Sequence, residues 1–580
     1  MRNLVIRMIC ICLLISIFLP LNVSYASPSV YFDESAYQKR KTAYIEQGVW
    51  DESNDALVLQ AYAGEELNQK SLQDFLNVLR NGGQKNSDFT LTKLIRVLMF
   101  RPEIKDELVE ALEGYHFWFR EGGTGDHVFS SENHMLMYTS SQYLLQEKYG
   151  LYEDERTYKR LKKYLEVKNQ YGFYEFYSPN YYPYTLSALL NLVDFTEDEE
   201  IRQLASGAAQ RLLQDVLFVT NDEGAFFAAS GRTNDGYRSN GLNANINRII
   251  YLVTGIGNDK ARTPSPIGVM LATSDLEISD DVFRYFGKPI NMTYSNGHSL
   301  GEAMNTIYKD FPRAERVPFY WTQGAYFHPD VAADTAWFAS RYKLQGYESL
   351  KAFDRFLGLS ESAAPAAAKA GAVFSRSSVL SQANFAMYKD GGVMLHSLQD
   401  YWPGRQGYQQ NPWIATTGTK SVWTKSGDGG GSSVMQNDHL PKIKQMNNVA
   451  VIQYNPYPEI EAYHAGGSNV SLYWPNGFDE EIRNGNWKFG KEDDGYVAVR
   501  YPCGNGDAEK VTCDWNEQTW VTIVGTKEKY GSFNQFKQKV LSEVQYDADW
   551  EWHGSFWKGT LKYVYDSDVK FDGTDISLTW

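Results

Sequence analysis

Three short stretches hold more polar functional groups than packing needs. The first is Glu132-Asn133-His134, which follows the glycine-rich run Gly122–His127 and precedes the helical spacing Leu136, Tyr143, Leu144. Ser130 and Ser131 read as N-cap residues, so the triplet falls in the first turn of a helix. The second is YGFYEFYSPNYYPYTLSALLNL, where Glu175, Asn180, Tyr181, Tyr182 and Tyr184 crowd the entrance to a helix beginning near Pro183. The third, SGRTNDGYRSNGLNANINR, gathers Arg232, Arg238, Asn243, Asn247 and Arg248 among glycines. Taken singly, each is explained by caps, polar loops and a satisfied half-buried histidine. Taken together they describe one site, because each lies at a helix start, and helix starts sharing a direction share a rim.

The elements that must hold them follow from periodicity. From Tyr37 to about Leu357 the apolar spacing is mostly helical: 37–47, 71–80, 91–100, 103–113, 134–148, 155–167, 183–194, 198–219, 243–253 and 334–357. Between Gly255 and Gln323 the period weakens among Gly, Pro and Asn, which reads as long loops. No solenoid repeat of fixed period is found, so paired antiparallel helices imply a closed α/α toroid. Residues 361–372, ESAAPAAAKAGA, are of low complexity and mark a linker. Beyond it the period becomes two, in VMLHSL, NVAVIQYN, NVSLYW, GYVAVRY, WVTIVGT and GTLKYVYD, punctuated by turns such as Lys389-Asp390-Gly391. The expected architecture is α+β and multidomain: residues 27–360 an N-terminal α/α toroid of helical hairpins, residues 373–580 a C-terminal antiparallel β-sandwich.

Residues 1–26 read as a secretory signal, with Arg2 and Arg7 flanking the apolar run Met8–Leu19 and Ser24-Tyr25-Ala26 as the cleavage site. Export to the extracellular space or periplasm is expected after cleavage near Ala26. No later stretch has the length of a membrane span. Cys10 and Cys12 leave with the signal, and Cys503 and Cys513 are expected to form a local disulfide across a Gly/Asn/Asp turn. The net charge is −15, and −17 once Arg2 and Arg7 are removed, which excludes generic nucleic-acid binding. An acidic substrate then requires cations gathered in one cleft. An aromatic share of 15%, with 40 Tyr and 15 Trp, suits stacking on sugar rings as well as core filling.

The Asn133-His134 pair opening a helix, the Tyr181-Tyr182 cluster and the arginines resemble the toroid-type polysaccharide lyases, the alginate lyase, chondroitin lyase and heparinase II/III-like superfamily. The order of helical domain then sandwich is similar over most of the chain. The resemblance implies β-elimination on a uronic-acid-containing polysaccharide. Asn133 would then neutralise the carboxylate and His134 would serve as base, unless a tyrosine does. Tyr182 would protonate the leaving oxygen, with Tyr181 and Tyr184 as alternatives. Arg232 or Arg238 would fork onto the carboxylate. Glu132 and Glu175 would line the substrate path.

In the sandwich, GRQGYQQNPWIATTG and GDGGGSSVMQNDHLPK offer Arg405, Gln410, Asn411, Trp413, Asp438 and His439, with Trp413 as a stacking platform or a buried core residue. No metal set is read: Asp126-His127 and Asp438-His439 lack the spacing of ligands. No cofactor is expected, though the acidic surface is compatible with a structural Ca²⁺. Two other functions satisfy parts of the pattern. One is a glycoside hydrolase on the same scaffold using Glu132 and Glu175. The other is a non-catalytic carbohydrate-binding protein of the cell surface.

Overall fold

The computed structural model describes residues 32–49, 56–121, 128, 130–347, 350, 354–370, 380, 382–399, 404–405, 409–426, 439–454, 470–503, 511–513, 519–555, 560–571 and 574–577. Residues 1–31, with Cys10 and Cys12, residues 122–127 and Asp438 lie outside these residues, as do the side chains of Arg405 and His439.

Helices fill the first half. They are α1 (Glu34–Gly48), α2 (Ala56–Ala63), α3 (Gln69–Leu79), α4 (Ser87–Phe100), α5 (Lys105–Ala111), α6 (Glu132–Tyr149) and α7 (Thr157–Tyr171). After them come α8 (Tyr182–Phe195), α9 (Glu199–Phe218), α10 (Ile246–Thr254), α11 (Pro266–Ala272), α12 (Arg313–Thr322) and α13 (Ala332–Tyr342). Side-chain caps start several of them: Asp33, Asn68 and Asp198 each accept a backbone N–H from the first turn. The spacing predicts one long helix over 334–357, but α13 stops at Lys343, which takes a left-handed conformation (φ 54°) and ends the ladder.

Neighbours in the chain pack together, and α1 also packs against two helices far along it. Helix α1 lies against α10 and α11. Arg40 donates to the Leu252 and Val253 carbonyls at 2.7 and 2.8 Å, and the Ser265 N–H donates to Tyr44 Oη at 2.8 Å. Helix α6 is buried along most of its length and packs on α4, α7 and α8. It is the central post of this half, which accounts for its weak amphipathic pattern.

The segment after α11 is more ordered than its loop-like composition suggests. Ile290–Gly297 forms β1, whose alternating Ile, Met and Tyr side chains follow a period of two. It pairs antiparallel with β2 (Gln382–Asp390), from Ile290 opposite Lys389 to Gly297 opposite Gln382. Thus a strand from the helical half forms the edge of a sheet otherwise built after residue 380.

The strands of the two large sheets continue with β3 (Val393–Gln399), β4 (Trp413–Thr417), β5 (Lys420–Ser426), β6 (Lys442–Met446), β7 (Val449–Gln453) and β8 (Val470–Tyr473). They continue with β9 (Glu480–Asn484), β10 (Trp487–Glu492), β11 (Gly495–Arg500), β12 (Thr512–Cys513) and β13 (Thr519–Thr526). A seven-stranded sheet runs β1-β2-β3-β4-β5-β8-β12 and a six-stranded sheet β9-β10-β11-β13-β7-β6. Both are antiparallel.

Period two decides which core each residue enters. Val393, Leu395, Trp413, Ala415 and Val422 meet Ile452, Val497, Val499 and Trp520 between the sheets. Phe385, Met387, Met394, Leu398 and Ile414 point the other way, into the core of the helical half. Cys503 and Cys513 are joined by a disulfide with Cα atoms 5.4 Å apart. The described residues from Phe32 onward form one compact unit.

Candidate active site

The site is assembled around the N-terminus of α6. Ser131 occupies the N-cap position in extended geometry, yet its side chain does not cap the helix. Its hydroxyl donates instead to Asn133 Oδ1 at 2.6 Å. With its oxygen engaged, the Asn133 carboxamide turns its donor end away, and Nδ2 has no hydrogen-bond partner among the described residues. Asn133 is 1% exposed. A buried amide with free N–H donors is costly unless something accepts from it.

Glu132 has a different task from lining the substrate path. Its carboxylate accepts the backbone N–H groups of Tyr174 and Glu175 at 2.8 and 2.7 Å and pairs with buried Lys168. Fully committed and 1% exposed, it fixes the 172–176 segment onto α6. Burial lowers the Lys168 pKa against the pull of Glu132.

His134 Nδ1 lies 2.6 Å from Asp88 Oδ2. Asp88 sits in the first turn of α4 and is fully buried. Burial by itself would lower the His134 pKa, but the Asp88 charge and hydrogen bond outweigh it, with a smaller contribution from Glu175, and the net shift is upward. An aspartate on Nδ1 fixes the ring orientation and directs Nε2 to the opposite side.

Glu175 is 3% exposed. Burial first, and then the neighbouring Glu132 charge, push its pKa up to about 8, while Arg232, His134 and the Asn133 backbone N–H pull the other way. It is therefore a neutral carboxyl around neutral pH, seated at a helix N-terminus. Its Oε2 atom has no partner among the described residues.

Arg232 is half-buried and its backbone is clamped: its carbonyl accepts from Ser178 Oγ at 2.7 Å and from Ser230 Oγ at 3.2 Å. The strap carrying it pairs with the sandwich, through Ser230 N–H to Asn411 O at 2.8 Å, its reciprocal at 2.8 Å, and Thr233 N–H to Gln409 O at 2.6 Å.

The other residues singled out from the sequence are placed by their burial and partners. Tyr182 is 1% exposed and its hydroxyl donates to Asp215 Oδ2 at 3.3 Å, within the helix bundle. Tyr181 is only half-buried, and its hydroxyl donates to Gln409 Oε1 at 3.4 Å, towards the sandwich. Tyr184 is half-buried too, its ring 4.3 Å from Phe89, which lies 5.1 Å from the His134 ring. Arg238 is 2% exposed and lies 3.9 Å over the Trp423 ring, stapling the two halves rather than meeting a ligand. Trp413 is a core residue of the sandwich, its indole N–H donating to Thr424 Oγ1 at 2.8 Å. Gln410 and Asn411 are fully buried.

Glu175 lies within electrostatic reach of Arg232 and His134 and accepts the Asn133 backbone N–H, which groups these four residues, while the Tyr182 hydroxyl is turned to Asp215 and the Trp413 indole to Thr424. Asp88 and Lys168 were not singled out from sequence. Among the described residues no three of His, Cys, Asp and Glu converge as a metal set would, and no helix is long and apolar enough to cross a membrane.

No family model matches the chain, and no curated protein matches it. Among solved structures it is similar to heparinase III, at 9% identity over 96% of this chain and 92% of the other, with a TM-score of 0.34. It is similar to the heparan sulfate lyase HepC from Pedobacter heparinus at 9% identity over 93% and 80%, with a TM-score of 0.25. A further heparinase III gives 9% identity over 95% and 90%, with a TM-score of 0.21.

Proposed function

We propose that this chain is a polysaccharide lyase that cleaves a uronic-acid-containing polymer by β-elimination. The observation that carries this reading is the Asp88-held His134 next to the free amide of Asn133 at the mouth of one helix, with Glu175 and Arg232 alongside. Closure of α1 onto α10 and α11 supports an α/α toroid as the scaffold.

On this reading Asn133 Nδ2 and the Arg232 guanidinium hold the uronate carboxylate, and neutral Glu175 adds an O–H donor. Together they acidify the neighbouring C5 proton by stabilising the charge that develops on the carboxylate. His134 Nε2 takes that proton, the C–H pair becomes the C4–C5 double bond, and the C4–O bond breaks. Tyr181 donates its phenolic proton to the leaving oxygen and regains one from water. Tyr181 takes this role rather than Tyr182 because it is half-buried, whereas Tyr182 is 1% exposed with its hydroxyl on Asp215 inside the helix bundle.

One feature favours the hydrolase reading: Glu175 is a buried, protonated carboxyl, as a general acid should be. Its expected partner, Glu132, is consumed by Lys168 and two backbone N–H groups and cannot activate water. One assay separates the readings. Purified protein is incubated with alginate, glucuronan, pectate and glycosaminoglycans. New ultraviolet absorbance from an unsaturated uronate supports elimination, whereas new reducing ends without absorbance would sink it in favour of hydrolysis. Retention without cleavage would leave a binding protein. Tyr181→Phe should cost about 100-fold or more in kcat. Glu175→Gln should stay within about tenfold for a lyase and lose nearly all turnover for a hydrolase.

A further inference from the structure

Gln445 shows how a buried glutamine that serves the fold is satisfied here. Gln445, in β6, donates to the Leu395 and Asn447 carbonyls at 3.0 and 3.1 Å and accepts from Ser397 at 2.5 Å. Gln323 differs. It is fully buried, and neither Nε2 nor Oε1 has a hydrogen-bond partner among the described residues. Leaving both ends of a buried amide unpaired is unfavourable, and a leucine or methionine would pack there without that cost.

The position of Gln323 relates this amide to the site. It ends α12, with its N–H on Tyr320 O at 3.2 Å. The flanking residues grip the entrance to α6 from both sides. Ser130 Oγ donates to Pro318 O at 2.8 Å, and Tyr326 Oη donates to Ser130 O at 2.7 Å. Ser130 stands two residues before Glu132 and three before Asn133. On its other side, the Gln323 carbonyl accepts the Leu380 N–H at 2.8 Å, at the approach to β2. Gln323 thus lies in the chain between the two residues that hold the α6 entrance, and its own carbonyl holds the approach to β2.

We propose that Gln323 is a second substrate-binding carboxamide of this site, gripping neighbouring hydroxyl groups of a sugar ring. The chemistry distinguishes it from Asn133. Asn133 offers only its donor end, which suits a carboxylate, because Ser131 occupies its oxygen. Gln323 offers a donor and an acceptor together, which suits a hydroxyl that both accepts from Nε2 and donates to Oε1. Gln323 is then a specificity residue that favours rings with free hydroxyls over substituted ones, and it rests on the lyase reading for the identity of the ring.

The test compares wild type with Gln323→Leu and Gln323→Glu. Ligand-free melting temperature is measured together with turnover on whichever polymer of the panel the wild type cleaves. Gln323→Leu is expected to melt at or above the wild-type temperature while kcat/KM falls 10- to 100-fold, with the greater part in KM. Gln323→Glu, which keeps the acceptor and loses the donor, should also lose affinity. A lower melting temperature with unchanged kcat/KM for the folded fraction overturns the proposal, because the amide then serves the fold. If the wild type cleaves none of the polymers, the lyase reading fails separately. Gln323 is then judged by retardation of the protein in gels containing the same polymers. Loss of retardation in Gln323→Leu supports the assignment, and equal retardation, or none in wild type, overturns it.

Discussion

At the scale of single residues the pH dependence follows from two groups shifted upward. His134 works as a base only when neutral, so the activity should climb as pH rises through a value above the ordinary histidine range. Glu175 is neutral only below about 8, and above that its charge would repel a polyanion, so activity should fall again there. A bell-shaped profile of kcat/KM is the expected result. Asp88→Asn removes the charge that raises His134, so the acid limb should move to lower pH. The plateau should drop about 100-fold, because the ring also loses its orienting partner. A profile whose acid limb stays in place in this variant would remove the Asp88–His134 pair from the mechanism. Asp88 shows why such a pair is hard to read from sequence: it lies 46 positions from His134 and looks like an ordinary first-turn acid. Asn133 and His134 stood out because three polar side chains in a row crowd one helix mouth beside a glycine-rich run. For Tyr182, Arg238 and Trp413, residue type alone does not reveal which face of an element is turned inward.

At the scale of elements the helices that carry the site are locked by buried polar staples. Arg96 is fully buried and ties three of them. It donates to Asn191 Oδ1 at 3.1 Å and Asp194 Oδ2 at 2.6 Å from α8, and to Thr273 Oγ1 and O at 2.8 and 2.7 Å beyond α11. Phe100 and Phe195 cover its guanidinium at 5.4 and 5.2 Å. Removing one partner of such a pair strands a buried carboxylate, so Arg96→Ala should destabilise the protein by about 3–5 kcal/mol in chemical denaturation. The fraction that remains folded should keep its kcat, since Asp88 begins α4 while Arg96 lies two turns further along. A loss under about 1 kcal/mol would show that the staple is replaceable. Long amphipathic helices such as α3 were legible to within a few residues because their apolar stripe is regular. Helix α2 was missed because ALVLQAYA is apolar on nearly every face. Strand β1 was missed because its partner is β2, some ninety positions later, and local composition carries no trace of that pairing.

At the scale of the whole molecule, the helical half and the sandwich share a core instead of touching across a solvated joint. Phe385, Met387, Met394, Ile414 and Trp423 belong to the same apolar cluster as Phe176, Tyr177 and Phe218. Polar contacts reinforce it. Lys389 Nζ donates to the Phe218 and Thr220 carbonyls at 3.3 and 3.1 Å, closing the C-terminus of α9 from β2. Burial pushes that ammonium down to about 8. Between about 8 and its ordinary value the unfolded chain holds the proton and the folded chain releases it, so this group adds stability as pH rises there. His396 Nδ1 accepts the Ala229 N–H at 3.1 Å and its Nε2 lies 2.9 Å from Tyr294 Oη. Burial keeps that imidazole neutral, with its pKa pushed down to about 3. Together with β1 in the sheet, these contacts mean that neither half has a complete surface of its own. Calorimetry on residues 27–580 should therefore give one cooperative transition, and a chain ending at residue 360 should aggregate, having exposed Phe176, Tyr177 and an unpaired β1. Two resolved transitions, or a soluble truncated chain with native helical content, would show that the two halves fold separately, and the strap from Ser230 to Thr233 would then be only a docking contact.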